Sequence, residues 1–203
     1  MELNLQRPLL FFDIESTGLN IPSDSIIELS FVKILPGGEQ RIKTWKIKPW
    51  DYVKQCQRPI DPQASKVNGV TDDMLVDCPT FFEVADEVAS WLVDSDLAGF
   101  NSAKFDLPML AEEFERVKLA GKDLNVDLHS PKMVDVQNIY HAMEPRNLKA
   151  AYRFYCGGED FDNAHTAEAD TVATYEVLKA QLDRYDTLKN DVKALAYYVH
   201  KRY

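Results

Sequence analysis

The spacing of apolar residues at the start of the chain predicts a three-stranded antiparallel meander. Residues 9–14 (LLFFDI) form an apolar run interrupted only by an acid near its end, which is typical of a strand buried on both faces. Residues 26–35 predict a second strand, and the alternating residues 41–47 predict a third. The sequence Pro36-Gly37-Gly38 between these two predicts a hairpin turn.

Farther along, the pattern changes to helices alternating with short strands. Residues 97–100 predict a strand, and residues 134–140 fit either a strand or a helix. Thr80 and Glu83 have the spacing of a capping box and so predict the start of a helix. Further helices are predicted at residues 107–120, 147–155, 167–182 and about 187–200. A meander followed by such units indicates an α/β fold, with a mixed sheet flanked by helices. Because no linker or repeat interrupts the pattern, we expect a single domain over residues 1–203.

The composition narrows the range of functions. The chain has 203 residues and a net charge of −10, which argues against a simple phosphate-binding protein, because such proteins tend to be basic. Carboxylates that hold divalent cations are an exception, since the bound ions neutralise them. We recognise no signal peptide and no apolar run of membrane-spanning length. Three dispersed cysteines are typical of reduced thiols, so we expect a cytoplasmic protein without a membrane partner.

Two acids at the end of the first predicted strand are candidate metal ligands. Asp13 and Glu15 are two positions apart, so their side chains point to the same face of the strand. Their negative charges repel each other unless a cation lies between them. A solvated strand end with two ordinary acids explains the same pattern, so the pair alone does not define a site.

Three further residues are candidates for the same site. Asp106 lies between a predicted strand and a predicted helix, where aspartate is also favoured as a helix N-cap. Asp170 is predicted to lie in the second turn of a helix, where aspartate is unfavourable. Its apolar neighbours indicate a partly buried helix, and a buried acid needs a compensating partner such as a metal ion. His165 lies about one turn before it and also suits a capping or surface histidine. We interpret Asp135 as a helix cap rather than a metal ligand.

Three segments resemble the motifs of the DEDDh exonucleases, a DnaQ-like family that includes the proofreading subunit of bacterial replicative polymerases. They are FFDIESTGL from Phe11, GFNSAKFD from Gly99 and HTAEAD from His165. The family has a ribonuclease H-like fold, so the resemblance implies a five-stranded mixed sheet. The chain departs from the family at Phe100 and Asn68, two positions where the family often has histidine.

The resemblance also implies a two-metal site. Asp13, Glu15 and Asp170 would hold one ion, and Asp13 would bridge to a second ion that Asp106 joins directly or through water. His165 would be the general base. An all-oxygen carboxylate site suits two Mg²⁺ ions, with Mn²⁺ as a substitute. The implied activity is 3′–5′ hydrolysis of single-stranded DNA or RNA, with release of 5′-nucleoside monophosphates.

The resemblance further implies a set of residues near the terminal nucleotide. They are the backbone of Thr17 and Gly18 and the side chains of Leu19, Asn101 and Phe105. Core packing explains Leu19 and Phe105 equally well. The implied partners are the 3′ end of a single strand and a polymerase or repair-complex protein. Two other functions fit the pattern: a catalytically silent partner module with this fold, and a phosphodiesterase acting on small molecules or very short oligonucleotides.

Overall fold

The computed structural model describes residues 3–144, 146–162, 166–196 and 198. The strands in these ranges are β1 (Leu9–Ser16), β2 (Ile26–Ile34), β3 (Gln40–Lys46), β4 (Trp50–Asp51), β5 (Cys56–Gln57), β6 (Asp96–Gly99) and β7 (Met133–Asp135). The helices are α1 (Pro62–Asn68), α2 (Phe81–Leu92), α3 (Asp106–Leu119), α4 (Val136–Met143), α5 (Leu148–Tyr155), α6 (Ala167–Arg184) and α7 (Val192–Ala196). A 3₁₀ turn spans Asp72–Leu75.

Five of the strands form one mixed sheet in the order β3-β2-β1-β6-β7. The pairs β1–β2 and β2–β3 are antiparallel, whereas β1–β6 and β6–β7 are parallel. This arrangement confirms the expected α/β fold, in which an antiparallel meander is extended by parallel strands. Strand β1 therefore lies at the centre, with a neighbour on each side.

One face of β1 packs in the core of the protein. Leu10, Phe12 and Ile14 are buried there with apolar residues of α2 and α3, such as Val88 and Leu110. The opposite face bears the alternate residues and is more open, with Asp13 exposed and its two neighbours on that face half-buried. The expectation that this strand is buried on both faces therefore holds at its start, where Leu9 is buried, and is wrong at Asp13, which is exposed.

The chain divides into two compact units, Met1–Ile139 and Tyr140–Tyr203. The first unit contains the sheet. In the second unit, Thr166 caps α6 by accepting the N–H of Ala169 at 3.3 Å, and the hydroxyl groups of Tyr155 and Tyr185 lie 3.0 Å apart. The expectation of a single domain over residues 1–203 stays a prediction.

Most predicted helix starts agree with the structure. The carboxylate of Glu83 accepts the backbone N–H of Thr80 at 2.6 Å, which confirms the capping box at the start of α2. Residues 134–140 contain both the end of β7 and the start of α4, so the two alternatives are each partly right. The hairpin of β4 and β5 was not predicted, because strands of two residues leave no periodic pattern.

The helix expected at about 187–200 is only partly found. Within the described residues α7 begins at Val192, after Asp191 accepts the N–H of Ala194 at 2.9 Å in the manner of an N-cap. The expected start at residue 187 is therefore wrong, and positions 197, 199 and 200 lie outside the described residues. Across the ranges that are described, none of the helices is both long enough and apolar enough to cross a bilayer.

Candidate active site

Asp13 and Glu15 project from the open face of β1, as the two-residue spacing predicts. Partial burial raises the pKa of the Asp13 carboxyl, although its side chain still reaches solvent. Desolvation is also the largest cause that raises the pKa of Glu15, followed by the charges of Asp13 and Glu28. Glu28 is the direct partner of Glu15 on the adjacent strand, and the Asn68 amide opposes these effects by hydrogen bonding. Three acids thus crowd this end of the sheet.

Asp106 is brought to the same region by a contact across the fold. It is the first residue of α3, it is buried, and its Oδ1 accepts the backbone N–H of Ile14 at 3.1 Å. Burial raises the pKa of Asp106, and the charge of Asp13 raises it further. The N-cap interpretation of Asp106 is wrong, because Phe105 occupies the cap position and the Asp106 carboxylate binds the N–H of β1 instead.

Asp135 acts as a helix cap, as interpreted from the sequence, and also holds the loop before α3. Its Oδ1 accepts the N–H of Gln137 at 3.0 Å and of Asn101 at 2.9 Å, and its Oδ2 accepts the N–H of Ala103 at 3.2 Å. Burial works to raise the pKa of Asp135, but these N–H donors outweigh it and lower the pKa. Asn101 is held in a left-handed conformation with φ 63°. Asp135 therefore sets the backbone that leads to Asp106.

A cleft of about 890 Å³ adjoins these carboxylates within the first unit. Glu15, Gly18, Leu19 and Phe105 are among its lining residues, together with residues of α1 such as Asn68. Leu19 is 86% exposed, so core packing does not explain it. Phe105 is half-buried and packs against the core while it also faces the cleft.

Thr17 and Asn101 are not among the residues that line this cleft. Thr17 is buried, and its hydroxyl donates to Oδ1 of Asp24 at 2.9 Å. Its N–H donates to the carbonyl of Ser25, and its carbonyl accepts from Asp61. Thr17 therefore shapes the loop, and of the two backbone positions predicted to contact substrate, it is Gly18 that lines the cleft.

The remaining two predicted site residues belong to the second unit. Asp170 is half-buried and lies in the first turn of α6, where acids are favoured by the helix dipole. The prediction that it lies in the second turn, and the propensity argument built on it, are therefore wrong. His165 lies outside the described residues. Their roles in the site stay predictions.

The oxygen donors of the first unit fit a hard divalent cation. In the described part of the chain, no three acidic, histidine or cysteine side chains form a complete metal-binding group by themselves. Nevertheless Asp13 and Asp106 interact electrostatically, as do Asp13 and Glu15, and each of these interactions raises a pKa. A divalent cation beside them would relieve this repulsion, and carboxylate oxygens are the ligands that Mg²⁺ and Mn²⁺ prefer. Further ligands have to come from elsewhere in the chain, from water or from substrate.

Comparison with known proteins extends beyond the three motifs. A family model described as "Exonuclease" (RNase_T) matches residues 10–178. The chain belongs to this exonuclease family. The resemblance inferred from the motifs is therefore confirmed, and the matched range includes all five predicted metal-binding and catalytic residues.

The relatives of this exonuclease-family chain include much longer replication proteins. It is 30% identical over 181 residues to a DNA polymerase III of the PolC type from Bacillus subtilis, covering 88% of this chain and 12% of that protein. It is 32% identical over 127 residues to the DNA polymerase III epsilon subunit of Pasteurella multocida, covering 58% of this chain and 45% of the subunit. The chain thus spans less than half the length of either relative.

Solved structures confirm the ribonuclease H-like fold. Exonuclease I of E. coli, in its zinc-bound complex with single-stranded DNA, has a TM-score of 0.55 at 19% identity, covering 97% of this chain and 43% of that chain. A second structure, the complex of ExoI with SSB-Ct, has a TM-score of 0.56 at 16% identity, again covering 97% of this chain and 44% of that chain. At such identities the likeness concerns the fold alone.

Proposed function

We propose that the chain is a metal-dependent 3′–5′ exonuclease that acts on single-stranded DNA or RNA. The observation that carries the proposal is the hydrogen bond from the Ile14 N–H to the Asp106 carboxylate. It brings Asp106 to β1 next to Asp13, beside a cleft lined by Gly18 and Leu19. Membership of the exonuclease family supports the same reaction. The products are 5′-nucleoside monophosphates and a strand shortened at its 3′ end.

Four carboxylates hold the metal ions in this proposal. Asp13, Glu15 and Asp170 would hold one ion, and Asp13 and Asp106 would hold a second. When bound, two Mg²⁺ or Mn²⁺ ions neutralise the carboxylates and stabilise the charge that develops on the phosphate oxygens. His165 accepts the proton of the attacking water, since an imidazole has a near-neutral pKa.

The cleft holds the terminal nucleotide in this proposal. Leu19 and Phe105 provide apolar surface for the base and sugar, and Gly18 allows the backbone to approach closely. The residues that line the cleft all belong to the first unit. Asn101, in the loop before α3, is also proposed to contact the terminal nucleotide, although it is not among the residues that line the cleft.

The partners proposed follow from the relatives. The epsilon subunit and the PolC-type enzyme are named as parts of DNA polymerase III, and exonuclease I was solved with single-stranded DNA. We therefore propose the 3′ end of a single strand as substrate and a polymerase or repair-complex protein as partner. With a net charge of −10, we expect weak non-specific binding of nucleic acid and a strong dependence on divalent cations.

A digestion of matched strands tests the proposal. DNA and RNA of one sequence, each labelled at the 5′ end, are incubated with the protein and Mg²⁺, and a ladder that shortens from the 3′ end is expected. EDTA should abolish it. His165→Ala should reduce turnover by about 100-fold or more while strand binding persists, whereas His141→Ala, on the exposed part of α4, serves as the matched control.

Three results would contradict the proposal. If the His165→Ala variant digests a strand at the wild-type rate, His165 is not the general base. A protein that binds a strand or a polymerase without any Mg²⁺-dependent digestion is instead the silent partner module. Digestion limited to the shortest of a graded series of oligonucleotides assigns the small-substrate phosphodiesterase.

A further inference from the structure

One wall of the cleft is a loop whose backbone oxygens are bound by an arginine of α3. This cleft loop comprises residues 18–25. Nη2 of Arg116 donates to the carbonyl of Ile21 at 2.8 Å, and Nη1 donates to the carbonyl of Asp24 at 2.6 Å and to Oγ of Ser25 at 3.2 Å. A single guanidinium thus joins Ile21 to Asp24 and Ser25 within the loop, which requires the planar, forked geometry of arginine.

Glu113 completes this contact from one turn earlier on the same helix. It is 2% exposed, its Oε1 lies 3.3 Å from Nη1 of Arg116, and it accepts the backbone N–H of Ile26 at 3.0 Å. Burial raises the pKa of Glu113, and Arg116 is the main group that opposes this effect. Glu113 therefore links α3 to the first residue of β2, directly after the cleft loop.

Two buried acids of α3 bind strands in the same way. Asp106 accepts the N–H of Ile14 in β1, and Glu113 accepts the N–H of Ile26 in β2. Glu113 follows Asp106 by seven residues, which is about two helical turns, so both acids lie on one face of α3. The helix therefore fixes the distance between a predicted metal ligand and the wall of the nucleotide cleft.

A second arginine binds the same loop from another element. Nη1 of Arg58, after β5, donates to the carbonyl of Ser23, and Nη2 lies 3.8 Å from Asp51. The backbone oxygens at positions 21, 23 and 24 are all engaged by guanidinium groups. The loop is thus ordered by the protein itself and does not need substrate to order it.

We propose that Arg116 and Glu113 are positioning residues that hold the cleft loop at a fixed distance from Asp106, at the start of α3. The proposal rests on the proposed function, because the loop acts there as the wall against which the terminal nucleotide binds. Neither residue is among those that line the cleft. Their effect reaches the substrate through Gly18 and Leu19, and it concerns binding of the nucleotide rather than binding of the metal.

The test compares Arg116→Lys with Lys118→Met. Lysine keeps the positive charge beside Glu113, but a single ammonium group cannot bind the three separated oxygens. Lys118 lies on the exposed side of the same helix and serves as the control. For Arg116→Lys we expect the KM for a single-stranded oligonucleotide to rise about tenfold, equivalent to a loss of about 1.4 kcal/mol of binding. The kcat and the Mg²⁺ concentration for half-maximal activity should stay close to wild type.

Hydrogen exchange of the metal-free protein provides a readout that does not depend on activity. Amides of the cleft loop should exchange faster in Arg116→Lys, whereas those of β1 should keep their protection. If Arg116→Lys does not fold, Glu113→Gln replaces it, because the amide keeps an oxygen acceptor for the Ile26 N–H but loses the charge that faces Arg116. Folded variants with unchanged KM and unchanged loop exchange would overturn the proposal. A rise in KM accompanied by equally large losses of kcat and of Mg²⁺ affinity would also overturn it. An inactive wild type with faster loop exchange in the variant contradicts only the proposed function.

Discussion

The carboxylate of Asp106 accepts the backbone N–H of Ile14 at 3.1 Å, and the two residues are 92 positions apart in the chain. This bond joins the second sequence motif to the first. Ile14 lies between Asp13 and Glu15, so the contact places a third acid beside that pair. Asp106 therefore satisfies a buried donor of the central strand, and we propose that it has a second function as a metal ligand.

The two functions of Asp106 can be separated by mutation. Asp106→Asn keeps an oxygen acceptor for the Ile14 N–H but loses the charge, whereas Asp106→Ala loses both. We expect either variant to lose at least about 10- to 100-fold in Mg²⁺-dependent activity. Only Asp106→Ala should also lose about 1–3 kcal/mol of unfolding free energy, because it leaves a buried donor unpaired. Urea unfolding and nuclease assays measure the two effects, and equal stabilities of the two variants would contradict the assignment.

This contact also shows where inference from the sequence ends. The placement of Asp13 and Glu15 on one face follows from the period of a strand, so it could be predicted. The partner of Asp106 could not, because local propensity favours an N-cap and no pattern within the helix reveals an N–H on a distant strand. The Arg116 contacts are of the same kind, since their acceptors are backbone carbonyls, which every residue has.

The sequence predicted the long elements and also the short strand expected at residues 97–100, which is β6, but it missed the two-residue strands β4 and β5. Strands β1 to β3 and helices α2 and α3 have clear periodicity, and the structure confirms them. Residues 134–140 were ambiguous because β7 ends and α4 begins within them, with Asp135 at the junction. The motif resemblance supplied the five-stranded sheet and its ribonuclease H-like fold, which periodicity alone left as a mixed sheet covered by helices.

Asp13→Asn should stabilise the metal-free protein while it inactivates the enzyme. Burial raises the pKa of Asp13 above its value in the unfolded chain, so the ionised carboxylate destabilises the fold at neutral pH, and this destabilisation disappears as the pH falls below the unfolded value. The neutral amide removes it. In EDTA we expect a higher Tm, by about 2–4 °C for each kcal/mol gained.

Added Mg²⁺ should raise the Tm of the wild type but not that of Asp13→Asn. Asp73→Asn, an exposed acid of the 3₁₀ turn, is the matched control and should leave the Mg²⁺ effect intact. The assignment of Asp13 as a metal ligand fails if the Asp13→Asn variant retains the full Mg²⁺-dependent rise in Tm.

Protonation of Asp127 should cause a separate loss of stability in acid. Hydrogen bonds from Ser130, and then from the N–H of His129, lower the pKa of Asp127 to about 2. A carboxyl whose pKa is lowered by folding contributes stability that is fully present above its unfolded pKa and is lost as the pH falls through the folded value. We therefore expect Asp127→Asn to reduce the dependence of unfolding free energy on pH between about 4 and 2. Denaturant unfolding across this range measures it, and an unchanged slope would contradict the assignment.

Gly18→Ala should disturb the cleft by a steric route. A Cβ at this position would lie 2.6 Å from Oδ2 of Asp24, which also accepts the N–H of Asn20 at 2.7 Å. Asp24 cannot move away without losing that bond and its bond to Thr17. We expect a loss of about 1–3 kcal/mol of unfolding free energy, as for other overpacked sites, and an increased KM for oligonucleotides, with little change in the Mg²⁺ requirement.

A double-mutant cycle with Asp24→Ala separates this clash from any intrinsic effect of alanine at position 18. Without the Asp24 carboxylate the added methyl group has room, so Gly18→Ala should cost less stability in the Asp24→Ala background than in the wild type. The interaction energy is expected to be about 0.5–3 kcal/mol, as for residues in direct contact. If the two substitutions are additive, the close approach of Asp24 is not the reason that glycine is needed at position 18.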